Sequence, residues 1–86
     1  MEEREIISFM KYPDKGLVDY AISCANLTAP ELLAIQRRVL FGETLEEAAE
    51  SLLISRSTVK RRCDAGFEKL DQCWSGKPWI ASIIKQ

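Results

Sequence analysis

Two capping boxes, Thr28-Ala-Pro-Glu31 and Thr44-Leu-Glu-Glu47, begin sixteen residues apart. They leave room between them for one helix of about three to four turns at 3.6 residues per turn. In each box a threonine hydroxyl accepts from the N–H of the glutamate three residues on, and the glutamate reaches back to the threonine N–H. Pro30 falls in the first turn, where its missing N–H costs nothing. Leu27 and Leu32 are spaced to staple the first cap. Leu33, Ile35, Val39 and Leu40 continue that helix, and Gly42 supplies its stop. The second box starts a helix with Leu45, Ala48, Ala49 and Leu52 on one face, ending near Leu53. Ser55 then caps a further helix, with Ile54 and Val59 as its staple. Val59, Cys63, Phe67, Leu70 and Trp74 share one face of it at helical spacing.

The flanks read the same way. Glu2 to Lys11 is a short helix with Ile6, Ile7, Phe9 and Met10 apolar, and Pro13 breaks it by disfavouring helix at Tyr12. Asp14 to Cys24 is a second, with Leu17, Val18, Ala21 and Ile22 in helical register. Ser75-Gly76-Lys77-Pro78 ends the long helix, and Trp79, Ile80, Ile83 and Ile84 form a last short stripe. This stripe either folds back, onto Val18 and Ile22, or makes a dimer contact. Folding back is favoured, because so short a chain needs all its apolar surface. No stretch alternates apolar and polar residues as a strand would. The expected fold is all-α, a small bundle of four to six short helices. The chain of 86 residues suits a single domain over 1–86. Its parts are an N-terminal helical extension (1–26), a helix-turn-helix core (27–74) and a C-terminal short helix or tail (75–86).

Several function classes fall away on composition. The three cysteines, Cys24, Cys63 and Cys73, are odd in number and widely spaced, and the chain has no histidine. That fits neither a disulfide framework nor a zinc site, so no metal and no cofactor is expected. No phosphate-binding glycine loop and no nucleophile paired with a base is present, which argues against an enzyme. The acidic start MEEREIISFMKY lacks the features of a signal peptide, and no apolar run reaches the ~20 residues of a membrane helix. A cytoplasmic, nucleoid-associated location without membrane contact follows. The formal net charge is −1, which by itself disfavours nucleic acid as a partner. The charge is segregated, however. Ser51 to Leu70 holds five basic residues and two acidic ones, while Glu43, Glu46, Glu47 and Glu50 cluster just before it. Such segregation gives an acidic protein a local positive face.

Two short helices joined by a turn of about three residues form a helix-turn-helix. Its helices cross closely, so one contact on the first must be small, and Ala49 meets that need. Val59 anchors the start of the second helix, and Ile54 plugs the turn. These residues, with Leu27-Thr28 and above all GETLEEAAESLLISRSTVKRR, resemble the tetrahelical helix-turn-helix shared by region 4 of sigma-70-type factors and by LuxR-type regulators. The resemblance covers roughly half the chain. Such motifs often place Gly at the turn position held here by Leu53, although LuxR-type proteins often carry another residue there. A Leu there is strained by about 1 kcal/mol in the left-handed conformation, or the turn has another shape. A residue other than Gly leans toward the LuxR side. The chain shows neither a receiver domain nor a sigma region 2, and reads as the DNA-binding module with its own N-terminal extension.

The resemblance implies a recognition helix over about 56–73 that enters the major groove of double-stranded DNA. With Val59, Cys63, Phe67 and Leu70 inward, the opposite face holds Arg56, Ser57, Lys60, Arg61 and Asp64. Arg56 or Arg61 is suited to guanine O6 and N7, and Lys60 to a base or a phosphate. Ser55, Ser57 and Thr58 at the helix start suit a phosphate oxygen. Ser55 and Thr58 also act as caps. Arg62 lies toward the flank, and Asp64 suits a cytosine amino group or excludes wrong sequences. Glu46, Glu47 and Glu50 read as solvated surface or as a site for a basic partner. The reading favoured is a small bacterial transcription regulator that binds DNA as a homodimer or is held at promoters by RNA polymerase. The alternative is an interaction module that binds polymerase or an antagonist protein, with weak DNA affinity.

Overall fold

The computed structural model describes residues 1–85. Six α-helices and no strand occur among the described residues: α1 (Glu3–Met10), α2 (Lys15–Ser23), α3 (Ala29–Ile35), α4 (Leu45–Leu52), α5 (Arg56–Trp74) and α6 (Pro78–Ile84). The all-α expectation holds. Local chemistry sets most of the starts. Both capping boxes form: Thr28 N–H donates to Glu31 Oε1 at 2.9 Å and Thr44 N–H to Glu47 Oε1 at 2.9 Å. The return bonds to Thr28 Oγ1 and Thr44 Oγ1 are 3.3 and 3.2 Å. Asp14 caps α2 by accepting from Leu17 N–H. A further reciprocal cap, with Glu2 N–H donating to Glu5 Oε1 at 2.9 Å, starts α1.

The third helix departs from its expected course. Beyond Ile35 it widens into a π-helical turn, Gln36–Leu40, in which Phe41 N–H reaches back to the Gln36 carbonyl. Gly42 then ends it at φ +65°, as its place in the sequence predicts. The apolar face is corrected. Ala34, Ile35 and Val39 are buried, whereas Leu33 and Leu40 are about half exposed and Phe41 more so. At about 100° per residue, Leu33 lies roughly 200° from Ile35, so both cannot face the core.

The long helix α5 is the axis of the molecule, and α1, α3 and α4 pack on it. Its buried residues are Val59, Cys63, Gly66, Leu70 and Trp74. Phe67 is only half-buried. Gly66 makes the close approach to α3: a Cβ there would sit 2.4 Å from Ile35 Cδ1. Lys69 of α5 donates to Glu31 at 2.7 Å, adding a polar tie between the two helices. That bond, with the Thr28 contacts, holds the Glu31 carboxyl below its ordinary pKa.

The core extends well beyond the helix-turn-helix. Ile6, Phe9 and Met10 of α1, Val18 and Ala21 of α2 and Ile80 of α6 are all buried with it. The C-terminal stripe folds back, mainly against α1. Trp79 lies near Phe9, with centroids 6.3 Å apart, and near Tyr20, at 6.4 Å. The three thiols are free, and burial pushes the Cys63 thiol above its ordinary pKa.

Leu53 settles the question about the turn. It adopts φ +58°, ψ +43°, so the turn keeps the left-handed shape and the leucine bears the strain. Its side chain is 91% exposed and contributes almost no burial in return. Leu53→Gly should relieve about 1–2 kcal/mol of left-handed strain against an added chain-entropy cost of about 0.5–1 kcal/mol. The net gain of about 0–1.5 kcal/mol corresponds to a rise in Tm of up to roughly 12 °C by thermal circular dichroism. A lower Tm would show that the leucine side chain itself supports the fold.

Candidate nucleic-acid interface

The helices α4 and α5 pack on each other, with the small residues Ala48 and Ala49 buried on α4 and Val59 completely buried at the start of α5. Between them, Leu53 N–H donates to the Glu50 carbonyl and Ile54 N–H to the Ala49 carbonyl. Ile54 is half-buried as the plug. Ser55 ends the turn and caps α5, its Oγ accepting from Thr58 N–H at 3.2 Å. These contacts fix the rotation of α5 about its own axis. Burial of Val59 and Cys63 on one side puts Arg56, Ser57, Lys60, Arg61 and Asp64 on the exposed side. Thr58 and Arg62 are half-buried at the margins. All eight residues singled out in the sequence thus lie at the start and along the first half of α5.

The hydroxyls at the helix start bond to one another. Ser55 Oγ lies 3.1 Å from Ser57 Oγ and 2.8 Å from Thr58 Oγ1. Two cations of the face hold acidic partners. Arg56 donates to Glu46 Oε1 of α4 at 2.7 Å, and Lys60 to Asp64 Oδ2 at 3.0 Å, one turn along α5. Arg61 has no carboxylate within ion-pair distance among the described residues.

The exposed face continues beyond α5. A shallow concave surface is lined by Leu45, Ser55, Arg56, Ser57 and Lys60, and next to it another by Arg38, Thr44, Leu45, Glu46 and Arg56. Arg38 and the start of α4 therefore adjoin the exposed face of α5, a neighbourhood not legible in the sequence. Arg38 lies far from Arg56 along the chain, outside the stretch where the basic charge is concentrated. It donates to the Glu43 carbonyl, which holds its guanidinium beside the capped end of α4. The nearby Arg37 is differently placed. It lies over the Phe41 ring at 4.8 Å and 3.6 Å from the Glu43 carboxylate.

The face therefore carries four cations, Arg38, Arg56, Lys60 and Arg61, against the carboxylates of Glu46 and Asp64, and Glu50 lines an adjoining surface with Ser55 and Arg56. A local positive surface persists on a chain whose formal net charge is −1. Glu47 is turned back onto Thr44, whose backbone N–H and hydroxyl hold its carboxyl below its ordinary pKa, so it keeps its negative charge.

No helix among the described residues is long and apolar enough to cross a membrane, and no cluster of metal-ligating side chains occurs among them. Comparison with curated proteins gave no match, and neither did comparison with solved structures. A family model does match: that of Sigma-70, region 4, over residues 25–72. The matched segment begins just before the first capping box and closes within α5, so it contains α3, the π-helical turn, α4 and the recognition face. With more than half of its 86 residues matched to that model, the chain belongs to the Sigma-70, region 4 family of helix-turn-helix domains.

Proposed function

We propose that this protein binds double-stranded DNA sequence-specifically, as a small bacterial transcription regulator acting in the cytoplasm at the nucleoid. The observation that carries this reading is the exposed basic face of Arg56, Lys60 and Arg61 on α5, held outward by the buried Val59 and Cys63. In the proposed complex α5 lies in the major groove. Arg56 and Arg61 read guanine edges, and Lys60 takes a base or a phosphate. Asp64 accepts from a cytosine amino group, and Arg62 meets the backbone from the flank. Ser55, Ser57 and Thr58 meet a phosphate at the start of α5, and Arg38 and Thr44 meet another at the start of α4.

One helix-turn-helix of this size buries little surface on DNA. Operator selectivity then requires a second copy or tethering to RNA polymerase. An interaction role with polymerase or an antagonist protein is the second reading. It is favoured by the exposed apolar residues Leu33, Leu40 and Phe41 along α3 and its π-helical end.

The test is fluorescence anisotropy with pooled random-sequence duplex DNA across a salt series. Neutralising the phosphates met by Arg38, Arg62 and, where it takes a phosphate, Lys60 gives a slope of log K against log salt of about −2 to −3, at about 0.9 per phosphate. Absence of binding at low salt would reject the DNA reading and leave the interaction reading.

A further inference from the structure

Arg56 is the first residue of α5 and Glu46 the second residue of α4, and their ion pair bridges the helix-turn-helix. Both side chains are largely exposed, at 63% and 71%, so the pair contributes little to folding. Its consequence is for Arg56 itself. A cation at a helix N-terminus faces the positive end of the macrodipole, whereas a carboxylate there is favoured. Glu46, in the first turn of α4, is thus well placed to offset the poor location of Arg56. Only Nη1 of the guanidinium is used in the contact. An arginine has five donors in a planar fork, so its other edge stays free for a two-point acceptor. The Lys60–Asp64 pair is different in kind, since both partners lie one turn apart on the same helix.

We propose that Glu46 is a positioning residue for DNA recognition. It holds the Arg56 guanidinium across the turn toward a guanine edge and weakens the attraction of Arg56 for phosphate. Glu46 therefore raises discrimination between sequences and lowers total affinity. A fixed guanidinium loses less side-chain freedom on meeting guanine than a free one. A carboxylate beside it also repels the phosphates that would otherwise compete for it.

This inference rests on the DNA-binding reading, and its test separates the two. The wild-type chain first selects a duplex from a random pool. Binding of that duplex and of the unselected pool is then measured by anisotropy for wild type, Glu46→Gln, Arg56→Ala and the double variant, at three salt concentrations. Thermal melts establish that each variant folds.

Glu46→Gln is expected to bind the unselected pool about threefold to tenfold more tightly, with a steeper salt dependence. Its preference for the selected duplex should fall by about tenfold. In the Arg56→Ala background the same change should leave the preference unaltered, because Glu46 acts through Arg56. Wild-type binding combined with an unchanged preference in Glu46→Gln would overturn the positioning role alone. A preference lost equally with and without Arg56 would also overturn it. Failure of the wild type to bind any duplex at low salt would overturn the DNA-binding reading and this inference together.

Discussion

Replacing Lys60 and Arg61 together by alanine should weaken binding to duplex DNA by about a hundredfold and leave the fold intact. Each cation that meets a base edge or a phosphate accounts for about 1–3 kcal/mol, and 1.4 kcal/mol is a factor of ten. The loss is compounded at Lys60, because its removal leaves the Asp64 carboxylate, now 3.0 Å from the ammonium, uncompensated before the phosphates. The salt dependence should become shallower by up to about one phosphate equivalent, that of Lys60. Neither side chain is buried, and alanine is the better helix former, so the melting temperature should hold within a few degrees. Anisotropy on random duplex DNA measures the first effect and circular dichroism the second. Wild-type affinity in a folded double variant would remove this face of α5 from the interface.

The second large effect concerns Trp74, far along α5 from the recognition face. Its side chain is fully buried. The ring meets Phe9 edge-on, with centroids 4.9 Å apart, and its indole N–H donates to the Ala21 carbonyl at 2.9 Å. One side chain therefore joins α5 to both α1 and α2. Trp74→Ala should cost about 3–5 kcal/mol. For a chain of this length a total stability of about 4–13 kcal/mol is expected, so much of the fold is at stake. Trp74→Phe keeps most of the apolar volume but strands the Ala21 carbonyl, at a cost of about 1–3 kcal/mol. Urea unfolding should rank wild type above Trp74→Phe and Trp74→Phe above Trp74→Ala. Equal stability of the alanine variant and wild type would mean that α1 and α2 do not share a folding unit with α5. DNA binding should fall in proportion to the unfolded fraction, since the recognition face exists only while α5 is packed.

An acidic chain with a basic face is coherent in these terms. Several carboxylates of the helix-turn-helix region are bound to neighbours, while Glu50 and Glu68 stay exposed. Glu31 and Glu47 serve in capping boxes, Glu43 meets Arg37 and Ser51, and Glu46 and Asp64 pair with the cations they adjoin. Local binding of acids leaves Arg61 and the free edge of Arg56 as the accessible positive groups, whatever the net charge of the chain.

Short-range chemistry set most of the helix starts and most of the inward face of α5, Phe67 being only half-buried. Capping is a contact over three residues, so Thr28, Thr44 and Ser55 act through neighbours already specified by the chain. The spacing of Val59, Cys63, Leu70 and Trp74 similarly turns Arg56, Lys60 and Arg61 outward without reference to any other helix. The left-handed turn at Leu53 was legible as a conflict between a position and a residue, although its outcome was not. Tertiary structure decided everything that joins distant segments. The π-helical turn after α3, with Leu33 and Leu40 outward, and the close approach of Ile35 to Gly66 across the helix pair are not written in the periodicity of the segment. Arg38 joins the recognition face, and Glu46 reaches Arg56, only once α4 is docked on α5. Periodicity records which side of a helix is apolar. Which other helix that side meets is settled by shape and volume in the packed core.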